Sequence, residues 1–199
     1  MNIKKWLVAG IIISLSLSGA LQANPFGVYP FESPKEYAEK LENYRNTWTR
    51  VTGFEHSGLH WQQFVVVFIN KDADVYEHNY NEYLRYYQDY DEDEDEDEIT
   101  PPNFRSYSAG TIILKENFAS EKGIPDNALT VTLMIKHEAG YDPSNGDWEY
   151  VQYSKNGNVI IAGNSQDPVV KEACASCHLN IADRDYVFAN IFSKRLNKK

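Results

Sequence analysis

GTIILKENF (residues 110–118) and ALTVTLMIKHE (residues 128–138) are the stretches of sequence that decide the fold. Both are short, apolar and rich in β-branched residues, so each predicts a strand. Further strands are predicted for residues 59–69, 147–153 and 159–162. Because these strands are short and separated by turn residues, they predict an antiparallel sheet.

Helical patterns flank the predicted strands. Residues 33–48 begin with Ser33 as a cap and Pro34 at the first helical position, which predicts an amphipathic helix. Residues 72–90 carry tyrosines at helical spacing and predict a second helix with one aromatic stripe for packing. Residues 168–196 are predicted to be helical in pieces. The fold class expected is α+β, a mainly antiparallel sheet with flanking helices.

The first 23 residues have the pattern of a secretory signal peptide. Two lysines precede an apolar run over residues 7–17, and small residues follow at positions 18–20 and at Ala23. The run is shorter than the roughly 20 residues that span a bilayer. We therefore expect cleavage and export to the periplasm, with no membrane anchor in the mature form. Residues 24–199 would then be a single domain.

The charge of the chain is strongly acidic. It has 19 Lys+Arg against 29 Asp+Glu, a net charge of −10, which argues against nucleic acid as a partner. Eight acids stand together as DEDEDEDE at residues 91–98. Their mutual repulsion predicts a solvated loop over about residues 89–100. A docking surface for a basic partner is the other interpretation of this run.

The chemistry is concentrated in Cys174-Ala175-Ser176-Cys177-His178, a CxxCH motif. On a helix, positions i, i+3 and i+4 share one face, so both thiols and the imidazole point together. This spacing fits one covalent haem c, with thioethers to Cys174 and Cys177 and with His178 as an axial iron ligand. A zinc site would need a second pair of ligands, and the chain has no other cysteine. A redox dithiol would not need the histidine.

The group that occupies the other side of the iron decides whether the protein carries electrons or binds ligands. Beyond the signal peptide Met134 is the only methionine. As sixth ligand it would make a six-coordinate electron-transfer cytochrome c. The histidines other than His178 are His56, His60, His78 and His137. The sequence leaves these alternatives open.

Several short motifs occur in a characteristic order around the CxxCH motif. They are Gly110-Thr111 before Lys115-Glu116, then Gly146-Asp147-Trp148, then the CxxCH motif, then Asp185-Tyr186-Val187-Phe188, with weaker support from Tyr44-Arg45 and Trp48. In this order the chain resembles the cytochrome P-460 family, which includes the related cytochromes c-prime-beta, over most of its mature length. The resemblance implies a haem c on a mainly antiparallel sheet, a five-coordinate iron with an open distal side, and a homodimer.

Lys115 is the candidate for a haem cross-link. In cytochrome P-460 proper a lysine is bonded covalently to the porphyrin edge, and the motif position implies that this lysine is Lys115. In this sequence Lys115 follows the apolar residues 112–114, where a lysine is rarely buried without a partner. The alternative is an ion pair of Lys115 with Glu116 or Glu138.

Thr132 is the candidate distal-pocket residue. Family members that oxidise hydroxylamine use an acidic residue there, and the matching position in this chain is Thr132. Threonine cannot act as a general base near neutral pH, whereas a carboxylate can. Glu116 and Glu138 are the nearest carboxylates in sequence, and no catalytic residue is assigned.

The function expected is therefore a periplasmic mono-haem cytochrome with an open five-coordinate iron. It would bind nitric oxide, or oxidise hydroxylamine and pass electrons to a second cytochrome as redox partner. The alternative is a simple electron-transfer cytochrome c with a six-coordinate haem.

Overall fold

A computed structural model describes residues 31–60, 62–88 and 100–193 of the chain. The predicted signal peptide at residues 1–23 and the acidic run at residues 91–98 lie outside these ranges.

One antiparallel sheet forms the centre of the molecule. Within the described ranges its seven strands are β1 Thr49–Arg50, β2 Glu55–Ser57, β3 Gln63–Ile69, β4 Ile112–Glu121, β5 Ile124–Lys136, β6 Trp148–Ser154 and β7 Val159–Gly163. The strand order is β1-β3-β4-β5-β6-β7, and β2 also pairs with β3. The predicted α+β class with a mainly antiparallel sheet is confirmed.

The helices are short and flank the sheet. They are α1 Tyr44–Thr47, α2 Ala73–Tyr83, α3 Pro168–Val170 and α4 Ser176–His178. A π-helical turn, Leu84–Gln88, extends α2, and a second one, Lys171–Ala175, joins α3 to α4. A 3-10 segment, Leu179–Arg184, completes the C-terminal helical region. None of the helices in the described ranges is long and apolar enough to cross a membrane.

The helix predicted for residues 33–48 is wrong over most of its length. Only Tyr44–Thr47 is α-helical, and hydrogen-bonded turns precede it. Asn43 has a left-handed φ of 58°, which interrupts a right-handed helix immediately before Tyr44. The predicted packing survives without the helix, because Leu41 and Tyr44 are both buried against the sheet.

Strand alternation divides the sheet into two faces. Face A carries Leu114, Leu133 and Val151, and residues 31–48 cover it. Face B carries the residues adjacent in sequence to those of face A, such as Ile113, Met134 and Tyr150. It packs against α2 and the C-terminal region. The CxxCH motif lies in that C-terminal region, so face B is the side of the sheet that carries the site.

Candidate haem site

A cavity of about 290 Å³ lies on face B between the sheet and the C-terminal region. Its floor comes from β3, β4 and β5, and its walls come from β2, from the residues that follow β2 and from the C-terminal region. The side chains that border it include Val65, Val67, Ile113, Lys115, Thr132, Met134, His178, Val187 and Phe188. Most of this lining is apolar, which suits the buried part of a large aromatic cofactor.

The CxxCH motif is held at the cavity by a well-capped helical region. Asp167 precedes α3, and its carboxylate accepts hydrogen bonds from the backbone N–H groups of Val169 (2.7 Å) and Val170 (3.4 Å). Pro168 occupies the first helical position. The region then presents Cys174, which is half-buried, and Cys177, which is exposed, as free thiols. His178 follows at the end of α4.

The imidazole of His178 is oriented as a metal ligand would be. Its Nδ1 lies 2.6 Å from the carbonyl oxygen of Tyr186. A carbonyl can only accept, so Nδ1 carries the proton and Nε2 keeps its lone pair. The rings of Tyr150 and Phe188 flank the imidazole at 5.4 Å and 5.2 Å between centroids. Burial lowers the pKa of His178 to about 4, with a contribution from Lys115, so the ring is neutral at physiological pH.

The carbonyl that orients His178 belongs to a fixed turn. Asp185 and Tyr186 have left-handed φ values of 51° and 65°. The Asp185 carboxylate accepts from the backbone N–H of Tyr107 at 2.8 Å and from Lys136 Nζ at 2.6 Å. The Asp185 carbonyl accepts from Trp148 Nε1 at 2.9 Å. These contacts hold the turn in place, so its carbonyl could orient the imidazole of a metal-bound His178.

Gly146 leaves room for the Tyr186 ring in this turn. It has a φ of 63°, and a Cβ added there would lie 2.5 Å from the Tyr186 ring. A side chain at this position would therefore displace the turn that orients His178.

Lys115 points into the cavity from the centre of face B. On β4 it pairs with Val67 of β3 on one side and with Thr132 of β5 on the other. Within the described ranges its amine has no hydrogen bond or ion pair. Burial lowers the pKa of Lys115 to about 7, and the Cys174 and Cys177 sulfurs lie near enough to oppose this shift. A large share of this amine is therefore neutral at physiological pH.

The predicted ion pair of Lys115 with Glu116 or Glu138 is wrong. Glu116 projects from the opposite face of β4, where it accepts from the hydroxyl of Tyr44 and from Arg45 Nε at 2.6 Å. Glu138 is exposed and makes no ion pair with Lys115. Alternation along β4 is the physical reason, because adjacent residues of a strand face opposite sides.

Thr132 borders the cavity beside Lys115. Neither Glu116, on face A, nor Glu138, which is exposed, borders it. Glu55 on β2 does, but its carboxylate is turned back toward Gly53, where an added Cβ would lie 3.0 Å from Oε1 of Glu55.

Met134 and the other histidines occupy different surroundings. Met134 pairs across the sheet with Tyr150, whose ring contacts His178, so Met134 packs on the His178 side of the cavity. His78 bonds to the carbonyl of Asn103 at 2.7 Å, and His137 pairs with Glu149 at 2.7 Å, both away from the cavity. His56 is exposed at the rim. His60 borders the cavity itself.

Two features of the site went beyond what the sequence indicated. Asp185, Tyr186 and Trp148 were recognisable as motif residues, but their role in orienting His178 depends on contacts between distant segments. His60 had no local signal that distinguished it from the other histidines. Only the fold brings it to the cavity.

The fold and the cavity define an α+β protein in which one face of an antiparallel sheet carries the cofactor site. The family model Cytochrome P460 matches residues 42–189, which is most of the chain. The chain therefore belongs to the cytochrome P-460 family, and this membership implies a haem cofactor. No curated protein matches the chain.

The residues of the cavity fit a haem. His178 offers an unprotonated Nε2, and the two cysteines of its motif are free thiols. The amine of Lys115 is otherwise difficult to explain, because a buried lysine without a partner is costly. A cofactor edge beside that amine would supply the missing contact.

Proposed function

We propose that the chain is an exported mono-haem c-type cytochrome that binds or oxidises small nitrogen species at an open side of its iron. The observation that supports this most is that His178 and Lys115 border one apolar cavity, while Cys174 and Cys177 are close enough to Lys115 to raise its pKa. When bound, the haem supplies an iron centre that takes a small ligand and exchanges electrons.

Each of these four residues has a distinct role in the proposal. Cys174 and Cys177 form the thioethers, and Nε2 of His178 binds the iron. The apolar lining keeps bulk water from the ligand. Lys115 would lie beside the porphyrin edge, where its unprotonated amine has a lone pair available. A cross-link there would exchange an N–H bond of the amine and a C–H bond of the porphyrin for one N–C bond, and an added oxidant such as peroxide would take up the two electrons and two protons released.

The protein is proposed to bind nitric oxide in preference to oxidising hydroxylamine. The family resemblance puts Thr132 at the position of the proton-transferring carboxylate, and a threonine hydroxyl is too weak an acid for that role. Against Met134 as a sixth ligand stands its pairing with Tyr150, whose ring contacts His178.

The location and partners are part of the same proposal. The N-terminal sequence pattern supports export to the periplasm. A homodimer and a redox-partner cytochrome follow from the family resemblance. Exposed apolar side chains at Ile160, on the outer strand β7, and at Val169 are available to a dimer contact.

The optical spectrum of the reduced protein, with and without nitric oxide, tests the proposal. A high-spin spectrum that changes on adding nitric oxide is expected. A low-spin spectrum that does not respond would contradict the open site and favour the electron carrier.

The mass of the haem peptide after trypsin digestion tests the cross-link. In the wild type we expect the Lys115 peptide bound to the Cys174–Cys177 peptide, together with a Soret band far to the red of an ordinary haem c. Lys115→Ala should remove both features, and Lys155→Ala, at an exposed lysine, should leave them unchanged. A wild-type haem peptide without the Lys115 peptide would contradict the cross-link.

A further inference from the structure

His60 is a half-buried polar side chain of the cavity that the proposed function leaves without a role. It lies in the turn Gly58–His60 that follows β2. Its Nδ1 is 2.7 Å from the hydroxyl oxygen of Ser57, and this bond fixes the ring. Nε2 is then the ring nitrogen free to meet a ligand in the cavity.

The sheet order separates His60 from the axial histidine. His178 packs on Tyr150 of β6, whereas His60 enters beside β3 and β2. Lys115 on β4 lies between these strands. Since neighbouring strands are about 4.8 Å apart, β6 and β3 are on the order of 14 Å apart. The two histidines therefore approach the cavity from opposite sides of Lys115.

Electrostatics supports a ligand-contacting role for His60. Burial is the main cause that lowers the pKa of His60 to about 3, and Lys115 and His178 contribute to the same shift. The imidazole is therefore neutral and offers one donor and one acceptor. All three side chains border the same cavity.

Two neighbouring polar groups of the cavity are less available to a ligand than His60. The hydroxyl of Thr52 donates to the carbonyl of Gly53 at 3.0 Å and accepts from the N–H of Val67 at 2.9 Å. The carboxylate of Glu55 is turned toward Gly53. His60 is left with a ring nitrogen for which the described residues provide no partner.

We propose that His60 is the distal hydrogen-bonding residue of the cavity, and that its Nε2 contacts a small ligand on the side of the haem opposite His178. This inference rests on the proposed function, because it requires an open side of the iron. It assigns the polar contact with the ligand to a histidine from the β2–β3 connection. A ligand with a polar or charged end, such as nitric oxide or hydroxylamine, would be retained longer than an apolar cavity alone allows.

Carbon monoxide binding to the reduced, haem-loaded protein tests the inference. His60→Leu should raise the stretching frequency of the bound carbon monoxide, because a nearby N–H donor is lost. It should also release the ligand about three- to tenfold faster, the range expected for one net hydrogen bond. His60→Gln keeps an N–H donor and should fall between the wild type and His60→Leu. His78→Leu is the matched control, since His78 bonds to Asn103 outside the cavity.

Ser57→Ala provides a second variant that leaves the imidazole in place. It removes the bond that fixes the ring, so a smaller shift in the same direction as His60→Leu is expected. If both variants behave like the wild type and still bind carbon monoxide, the role of His60 is overturned and the open site stands. If the wild type is low-spin and only His60→Leu binds carbon monoxide, His60 is an iron ligand and the inference is overturned. If no variant binds carbon monoxide, the proposed function itself fails.

Discussion

His178→Ala is expected to remove the axial ligand of the haem iron and to give the largest loss of any single substitution. The wild-type ring is held by the carbonyl of Tyr186 and flanked by the rings of Tyr150 and Phe188, and alanine has no group that could bind the iron. Loss of an orienting partner alone costs about 10–100-fold in metal affinity, and loss of the ligand itself costs more. We expect little stably loaded protein, and an altered spectrum in whatever is loaded.

The haem content per chain and the optical spectrum measure this effect. His137→Ala is the control, because His137 pairs with Glu149 away from the cavity. Imidazole added to the His178→Ala protein should partly restore the wild-type spectrum by entering the vacated space. A His178→Ala protein with normal haem content and spectrum would contradict the assignment of His178.

Lys136→Met is expected to lower the free energy of unfolding by about 3–5 kcal/mol. This is the usual cost of removing one partner of a buried ion pair, because the other charge is then buried without a partner. The side chains of Lys136 and Asp185 are 12% and 7% exposed, and their charged atoms are 2.6 Å apart. Lys136 Nζ also lies 4.9 Å from the Trp148 ring. Methionine keeps much of the apolar stem, so the loss comes mainly from the uncompensated carboxylate of Asp185.

Urea unfolding of the haem-loaded protein measures this loss. Lys155→Met is the matched control at an exposed lysine, where a change within about 0.5 kcal/mol is expected. Adding Asp185→Asn to Lys136→Met should recover part of the stability, since the second change removes the unpaired charge. Equal unfolding free energies for Lys136→Met and Lys155→Met would show that the pair contributes nothing.

The sheet was predictable because its signals are local. The runs around Ile112 and Val131 are β-branched and apolar, and their alternation appears in the observed strands β4 and β5. The CxxCH motif was recognisable from its spacing, and the haem attachment that it indicates stays a prediction. The order of the short motifs around it correctly indicated the family.

The remaining features depend on contacts between distant parts of the chain. The helix predicted at residues 33–48 was wrong because capping residues describe a local preference, while Asn43 adopts a left-handed conformation in the folded chain. The partner of Glu116 is Arg45, 71 positions earlier, and no local pattern joins these two residues. Which face of the sheet Lys115 takes could not be decided without the register of β4.

Thermal stability and haem chemistry should be separately adjustable by engineering, because each strand sends alternate side chains to opposite compartments. Glu116 and Lys115 are covalent neighbours, yet one belongs to the buried polar cluster with Arg45 and the other to the cavity. Repacking the layer beneath residues 31–48 would alter resistance to heat while leaving the spectrum unchanged. Substitutions on the cavity side would retune ligand preference on an intact scaffold.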